Sequence, residues 1–143
     1  MKPQSGRKAF IVLSDGGDVH SKTSIGTAIE FAQRADTIIY AIDFAARPVF
    51  AHPAVMASAA MLRARGRKAM LRMAAETGGR YFEVSKRESI AQIYDEIEDE
   101  MRNQYSIAYK SDRADRSTGY RKISLTTGDG NLSARTRPGY YPR

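Results

Sequence analysis

"AFIVLSDGGD", residues 9–18, joins a continuous apolar run to two glycines and two aspartates. Phe10–Leu13 is too apolar and too rich in β-branched residues for a surface loop, and it is too short for a helix. A continuous apolar strand is typical of a parallel sheet covered on both faces, and such sheets bind ligands at the carboxyl ends of their strands. The candidate binding residues are therefore Ser14, Asp15, Gly16 and Asp18. The alternative is that Asp15-Gly16-Gly17 forms only a tight turn.

A second apolar run, Thr37–Asp43, is also β-prone and also ends in an acid. Between the two runs, Ser21–Ser24 offers hydroxyl caps, and apolar residues recur at helical spacing from Ile25 to Ala35. Strand, helix and strand in this order predict a parallel crossover. Asp43 would then end at the same edge of the sheet as Asp15.

Further along the chain, the sequence predicts two helices separated by a short strand. Pro53 suits the first turn of a helix, Gly66 is expected to interrupt it, and the helix is expected to resume at about Lys68 and to stop after Thr77. A third strand follows at 80–84. Ser85 to Glu88 has the pattern of a capping box before a helix whose apolar positions are Ile90, Ile93, Tyr94, Ile97 and Met101.

From Gln104 the pattern changes to alternation, which predicts antiparallel strands at 105–109 and 120–127 and a third piece at 132–137. The last residues form a strap anchored by Tyr140 and Tyr141. We therefore expect an α/β, Rossmann-like three-layer fold with a partial parallel sheet (strands near 8–14, 37–43 and 80–84), flanking helices and a C-terminal antiparallel β extension. Residues 1–103 would form the core, and 104–143 a β-hairpin or strap packed on the same domain.

Composition narrows the functional classes. The chain has 143 residues, which suits one domain. It contains no cysteine, which excludes a disulfide framework, a thiolate metal site and a cysteine nucleophile. No stretch has the length of a membrane span. The net charge is +7, of which residues 104–143 carry +5. Nucleic-acid binding through Arg121, Lys122, Arg135 and Arg137 is one reading of that tail, but interleaved aromatics and a docking motif are missing.

Motifs for catalysis are also missing from the sequence. A GxSxG elbow, a P-loop and a GxGxxG fingerprint do not occur. The two histidines, His20 and His52, have no spacing that pairs them with other ligands, although His20 lies near Asp15 and Asp18. The sequence therefore favours a protein that is not an enzyme. A metal-dependent enzyme that uses Asp15 and Asp43 is the alternative.

Three segments occur in an order and spacing that resemble the von Willebrand factor type A (VWFA) domain, and more narrowly the VWFA-related proteins of acidobacteria. They are "RKAFIVLSDGGD", "IGTAIEFAQRADTIIYAIDF" and "AMLRMAAETGGRYFEVSKRESIAQIYDEIEDEMRNQYSIAYKSD", followed by "YRKISL" and "ARTRPGYY". The resemblance covers residues 7 to 141. It implies a Rossmann-like sheet and an adhesion or protein-interaction module that holds a divalent ion, usually Mg²⁺, at a metal-ion-dependent adhesion site.

By this resemblance, Asp15 matches the aspartate of the third motif of that site. The first motif, Asp-x-Ser-x-Ser, does not occur in the chain, and the threonine of the second motif would lie upstream of the first strand. The chain thus begins where the fourth strand of the family is expected. Because Mg²⁺ prefers near-octahedral oxygen coordination, we expect no required cofactor, and weak binding of Mg²⁺ or Mn²⁺ at Asp15 or none.

The same departure predicts an exposed strand edge, formed by Phe10, Ile11, Val12 and Leu13. An apolar edge is a pairing hazard, and the simplest cover is a homodimer in which strands pair edge to edge or elements are exchanged. The alternative is that the C-terminal strands fold back over the edge. The sequence does not name a protein partner. A cytoplasmic location is expected if Met1 is the native start, and an extracytoplasmic one if the chain is a fragment of an exported protein.

Overall fold

The computed structural model describes residues 6, 8–18, 20–44, 53–85, 88–109 and 119–142. The fold is mixed α/β, with a three-stranded parallel sheet, flanking helices and a two-stranded antiparallel sheet, which confirms the predicted fold class. In chain order the elements are β1 (Lys8–Ser14), α1 (Ile25–Arg34), β2 (Thr37–Asp43), α2 (Pro53–Thr77), β3 (Tyr81–Glu83), α3 (Ile90–Arg102), β4 (Arg121–Lys122) and β5 (Gly139–Tyr140).

The parallel sheet has the strand order β1-β2-β3. β1 pairs with β2 over its whole length, from Lys8 beside Thr37 to Ser14 beside Asp43. β3 is short, and its three residues pair with the last three residues of β2. β2 is therefore the central strand, and its unbroken apolar run is explained by burial on both faces.

Alternate residues of β2 face two different helix layers. On one face, Tyr40 and Ile42 pack with Ile93 and Ile97 of α3. On the other face, Ala41 packs with α2, while α1 contacts both α2 and β2. The core thus lies in two thin layers on either side of a single strand.

The capping box of α3 lies one turn later than predicted. Ser89 Oγ accepts a 3.3 Å hydrogen bond from the backbone N–H of Gln92, whose side-chain oxygen accepts one of 2.8 Å from the backbone N–H of Ser89. The prediction that Ser85 and Glu88 form the box is wrong. Ser85 Oγ instead accepts a hydrogen bond from the backbone N–H of Glu88, and both residues precede the helix. Two consecutive Ser-x-x-Glu/Gln patterns, Ser85–Glu88 and Ser89–Gln92, compete here, and only the second lies at the start of the helical apolar spacing.

Helix α2 is continuous for 25 residues and passes straight through Gly66, so the predicted interruption is wrong. A glycine inside a helix costs only about 1 kcal/mol relative to alanine, which packing along the rest of the helix readily offsets. At about 37 Å, α2 is longer than the strands it covers, since a seven-residue strand spans about 23 Å.

The C-terminal part forms less sheet than predicted. Only Arg121–Lys122 and Gly139–Tyr140 pair, antiparallel, and in the described residues 105–109 and 132–137 belong to no strand. The predicted strand at 105–109 is therefore wrong, and the one at 120–127 shrinks to two residues. Tyr105 is 93% exposed and Ile107 68% exposed, so the segment lacks the buried face that would select a pairing.

The C-terminal strap, residues 137–141, contacts the end of the sheet where the strands begin, whereas Asp43 lies where β2 ends. Arg137 forms a 2.7 Å ion pair with Asp36, which immediately precedes β2. Tyr141 packs edge-on against Tyr120 at 5.2 Å between ring centroids, and the guanidinium of Arg34 lies 4.2 Å from the centroid of the Tyr141 ring. The C-terminal residues are thus held at the amino ends of the strands.

Candidate functional site

The carboxyl edge of the sheet brings together the ends of β1 and β2. Ser14 and Asp43 are paired across the two strands, and the backbone N–H of Phe44 donates a 3.2 Å hydrogen bond to the Ser14 carbonyl. Asp15 therefore leaves the sheet beside Asp43, as predicted for two parallel strands that end in acids. We call residues 14–18 the β1 loop.

The polar groups of the β1 loop are largely used to hold the loop itself. Ser14 Oγ accepts a 3.0 Å hydrogen bond from the backbone N–H of Gly16, and Asp15 Oδ1 accepts one of 3.0 Å from that of Gly17. Asp18 Oδ1 accepts a 2.9 Å hydrogen bond from the backbone N–H of Ser21. These are local side-chain-to-backbone hydrogen bonds, and residues 15–18 form an irregular segment with no backbone hydrogen-bonded turn. Asp15 and Asp18 are nevertheless exposed, so both carboxylates face solvent and are available to a partner.

Asp43 differs from these two acids because its side chain is buried. Asp43 is only 8% exposed, and its Oδ2 accepts a 2.6 Å hydrogen bond from the hydroxyl of Tyr81. Oδ1 is buried and has no hydrogen-bond partner among the described residues. Burial, followed by the hydrogen bond to Asp43, raises the pKa of Tyr81 well above its usual value. The phenol therefore stays protonated and acts as a donor.

One cationic side chain borders this pair. The guanidinium of Arg67, on α2, lies 5.7 Å from the centroid of the Tyr81 ring and forms a 3.3 Å ion pair with Glu83. Its charge is therefore shared between a ring face and a carboxylate on β3. Both side chains of this ion pair are more than half exposed, so the pair lies at the surface beside the Tyr81 ring.

The β1 loop is fixed against α2 by a contact between two glycine backbones. A Cβ atom added to Gly16 would lie 2.6 Å from the carbonyl carbon of Gly66, and one added to Gly66 would collide with the Gly16 carbonyl oxygen. Gly16 also has φ = 73°, a conformation that favours glycine. Gly66 is thus a contact residue for the β1 loop rather than a helix breaker.

The described residues contain no group of three or more histidine and acidic side chains that could hold a metal ion. His20 is exposed, and His52 lies outside the described residues. Near Asp15, the hydroxyl of Ser14 is already engaged with Gly16. This donor set does not fit the near-octahedral oxygen cage that Mg²⁺ prefers.

The outer edge of β1 is open over the described part of the chain, where its only pairing is with β2. Phe10 is 61% exposed and Leu13 50% exposed, while Ile11 and Val12 are half-buried. Neighbouring strand residues point to opposite faces, so Phe10 extends the α2 side of the sheet and Leu13 the α3 side. The four predicted edge residues are thus divided between the two faces of the sheet, with Phe10 and Val12 on the α2 side and Ile11 and Leu13 on the α3 side.

A second apolar surface lies on the first half of α2. The stripe that packs on the sheet through Gly66 and Met70 continues at helical spacing to Val55 and Leu62, which are 57% and 40% exposed. We call residues 55–65 the α2 overhang, because about 16 Å of helix extends beyond the contact at Gly66.

The charged clusters are arranged differently from a nucleic-acid groove. In the tail, Arg135 pairs with Glu100 at 2.6 Å, and Arg137 pairs with Asp36. The acidic residues at 95–100 of α3 and the basic residues at 63–72 of α2 are on helices at opposite faces of the sheet, so the two clusters do not neutralise each other. Two of the four tail cations proposed to contact phosphates are therefore already paired with acids.

Sequence reasoning missed Tyr81, Arg67 and the role of Gly66. A usable signal for Tyr81 was alternation in β3, which places it on the same face of the sheet as Asp43. Arg67 and Gly66 reach the site from a helix, and no local pattern connects them to residues 14–18.

In the described residues, no helix is both long and apolar enough to span a membrane. Comparison with protein-family models, with curated proteins and with solved structures gives no significant match.

Proposed function

We propose that the chain is a non-enzymatic protein-interaction or adhesion-type module of the VWFA class, with a degenerate metal-ion-dependent adhesion site. The observation that carries the proposal is the open edge of β1, where Phe10 and Leu13 are exposed next to the acidic β1 loop. The resemblance over residues 7–141 supports the family. The partner surface comprises the β1 edge together with Ser14, Asp15, Gly16 and Asp18.

A strand edge of this kind recruits another strand through its backbone. Unpaired N–H and C=O groups supply hydrogen bonds, and the exposed side chains on both faces add apolar contact. The exposed carboxylates of Asp15 and Asp18 lie at one end of the edge, where they select for a cation on the incoming strand. Binding therefore requires no metal ion, and any Mg²⁺ or Mn²⁺ at Asp15 is weakly held.

A labelled strand peptide tests the proposal. The probe is the β1 sequence KAFIVLS, flanked by lysines for solubility, and the control is a scrambled peptide of the same composition. We expect saturable binding of the probe in fluorescence anisotropy, and loss of binding when Ile11→Pro removes a backbone donor from the open side of β1, since the N–H groups of alternate residues point away from β2. Equal binding of the two peptides would show that the edge does not recruit strands. Circular dichroism checks that the Ile11→Pro variant keeps its fold.

A metal-dependent enzyme that uses Asp15 and Asp43 is a second candidate, favoured by the buried and unpartnered Oδ1 of Asp43. It predicts tight Mn²⁺ binding, lost in Asp15→Asn and in Asp43→Asn alike. The interaction module predicts weak binding that only Asp15→Asn alters. Electron paramagnetic resonance of Mn²⁺ distinguishes the two candidates.

A further inference from the structure

We infer that β1 pairs antiparallel with β1 of a second copy of this chain, with Ile11 opposite Ile11, so that two three-stranded sheets join into one of six strands. This inference rests on the proposed function, in which the β1 edge recruits a strand. It adds the identity of that strand and its register.

The edge lacks the features that keep natural strand edges apart. β1 is a regular seven-residue strand without proline, and its single charged residue, Lys8, lies at its first position. Natural edges usually carry an inward or central charge, a proline or a bulge to prevent pairing. An apolar edge with a cation at one end and Asp15 just past the other is self-complementary when two copies run antiparallel.

Side-chain chemistry selects one register. A twofold axis through a residue pair requires that one β1 residue faces itself, and Phe10, Ile11 and Val12 are the central choices. An axis at Val12 sets Ala9 opposite Asp15, and an axis at Phe10 sets Val12 opposite Lys8. An axis at Ile11 sets each apolar residue opposite an apolar one.

The Ile11 register also matches large residues with small ones. Phe10 lies opposite Val12, and Leu13 lies opposite Ala9, on opposite faces of the joined sheet. Phe10 and Leu13 are the two large side chains that the isolated edge leaves more than half unburied, at 61% and 50% exposure. At the ends of the pairing, Lys8 of one copy lies opposite Ser14 of the other and next to its Asp15.

The described residues contain a competing occupant, the β-prone segment 105–109. Its aromatic end is already engaged, because Tyr109 packs edge-on against Tyr140 with 6.1 Å between ring centroids. Tyr140 belongs to β5, and the strap that contains it is held by Arg137 at Asp36, at the amino ends of the strands. This contact fixes one end of segment 105–109 at the amino ends of the strands, and the experiment tests whether the segment or a second copy of β1 covers the edge.

The absence of cysteine makes disulfide trapping a clean test. Directly opposed antiparallel residues alternate between hydrogen-bonded and non-hydrogen-bonded pairs, and the closer, non-hydrogen-bonded pairs suit a disulfide. We therefore use Ile11→Cys alone and an equimolar mixture of Phe10→Cys and Val12→Cys, since the two pairings sample both kinds of pair. Leu132→Cys, at a 63% exposed position outside the edge, is the control for random collision.

Under mild oxidation of dilute protein, we expect covalent dimer from Ile11→Cys, or heterodimer from the mixture, to form several times faster than from Leu132→Cys. Faster trapping of Val12→Cys with itself would overturn the register, and trapping of Val12→Cys with Ile107→Cys would identify segment 105–109 as the occupant. Trapping no faster than the control would overturn the pairing. Peptide capture by the same protein would then show that the proposed function stands while this inference fails.

Light scattering of the unmodified chain is the second measurement, because a cysteine variant that fails to fold would give no trapping. We expect a dimer mass that Phe10→Lys reduces to that of a monomer with unchanged far-ultraviolet circular dichroism. A monomer at all concentrations would overturn the inference.

Discussion

The hydroxyl of Tyr81 on β3 donates a 2.6 Å hydrogen bond to the buried carboxylate of Asp43 on β2, which links the side chains of two neighbouring paired strands. Because the second oxygen of Asp43 has no partner among the described residues, this phenol is the one described donor to the carboxylate side chain. Replacement of Tyr81 by phenylalanine would leave the buried carboxylate without a donor from the described part of the chain.

We expect Tyr81→Phe to lower the free energy of unfolding by about 1–3 kcal/mol, the usual penalty for an unsatisfied buried polar group. Urea unfolding at neutral pH measures the change. The matched control is Tyr94→Phe on α3, since Tyr94 is 44% exposed and should tolerate the loss of its hydroxyl. Equal stability of the two variants would show that the hydrogen bond to Asp43 contributes nothing.

The same pair makes stability depend on alkaline pH. Burial and the bond to Asp43 raise the pKa of Tyr81 above the value it has when unfolded. The folded state then retains a proton that the unfolded state loses, so this stabilisation is complete below about pH 10 and decreases as the pH rises further. The stability difference between the parent chain and Tyr81→Phe should therefore be constant from about pH 7 to pH 10 and shrink above it. A difference that does not change with pH would contradict the assignment.

Glu100 should make the stability of the folded chain decrease at acid pH. Burial alone would raise the pKa of Glu100, but hydrogen bonds and charge from Arg80 and Arg135, at 2.7 and 2.6 Å, outweigh it and lower the pKa. Its contribution is thus present above its ordinary pKa and is lost as the pH falls through the lowered one. We expect Glu100→Gln to lose about 1 kcal/mol at neutral pH and progressively less below about pH 4. The control is Glu98→Gln, which removes the more exposed ion pair with Arg102 on the same helix. It should change the free energy of unfolding by at most about 0.5 kcal/mol.

Alanine at Gly66 should destabilise the protein even though alanine is the better helix former. Its methyl group would enter the Gly16 backbone, and displacement of a packed backbone costs about 1–3 kcal/mol, more than the helical gain of about 1 kcal/mol. Gly26→Ala in α1 is the matched control, because the nearest atom to its new Cβ is Ser24 Oγ at 3.8 Å. Thermal unfolding should rank Gly26→Ala above the parent chain and Gly66→Ala below it. The reverse order would show that the β1 loop yields freely.

The two halves of α2 should respond differently to the same truncation. Met70 is 2% exposed against β2, so Met70→Ala should cost about 2–5 kcal/mol through lost contacts and a cavity. Leu62 lies on the same stripe in the α2 overhang and is 40% exposed, so Leu62→Ala should cost less than about 1 kcal/mol in dilute solution. Chemical denaturation of both variants measures the contrast. A large loss from Leu62→Ala would mean that the overhang is already covered.

The three parallel strands and two of the helices were predictable because their signals are local. Thr37–Asp43 carries a continuous β-branched run and matches β2 in full, and Ile90 to Met101 carries a strong helical period that matches α3. The spacing did not distinguish Ile93, which is buried, from Tyr94, which is exposed. The burial of each side chain depends on which other elements pack against the helix. The open β1 edge was predicted, but from the family resemblance rather than from the residues of the strand.

The errors arose where tertiary contacts decide the outcome. Glycine often ends a helix, and Gly66 was therefore predicted to interrupt α2. The close contact with Gly16 explains why a glycine lies inside this helix. The alternation at 105–109 has the composition of a strand, yet no described neighbour offers it a buried face. Tyr81 completes the environment of Asp43 only because a third strand aligns with the second, which no pattern near Asp43 indicates.

The contact between Gly16 and Gly66 also limits how this protein can change by mutation. Each glycine excludes a side chain at the other position, so the effect of a substitution at one site depends on the geometry of the other. A variant with a shortened or displaced β1 loop would turn Gly66→Ala from a harmful substitution into a beneficial one. The two positions therefore form an epistatic pair, and single-site mutational scans would record both as invariant without revealing that they constrain each other.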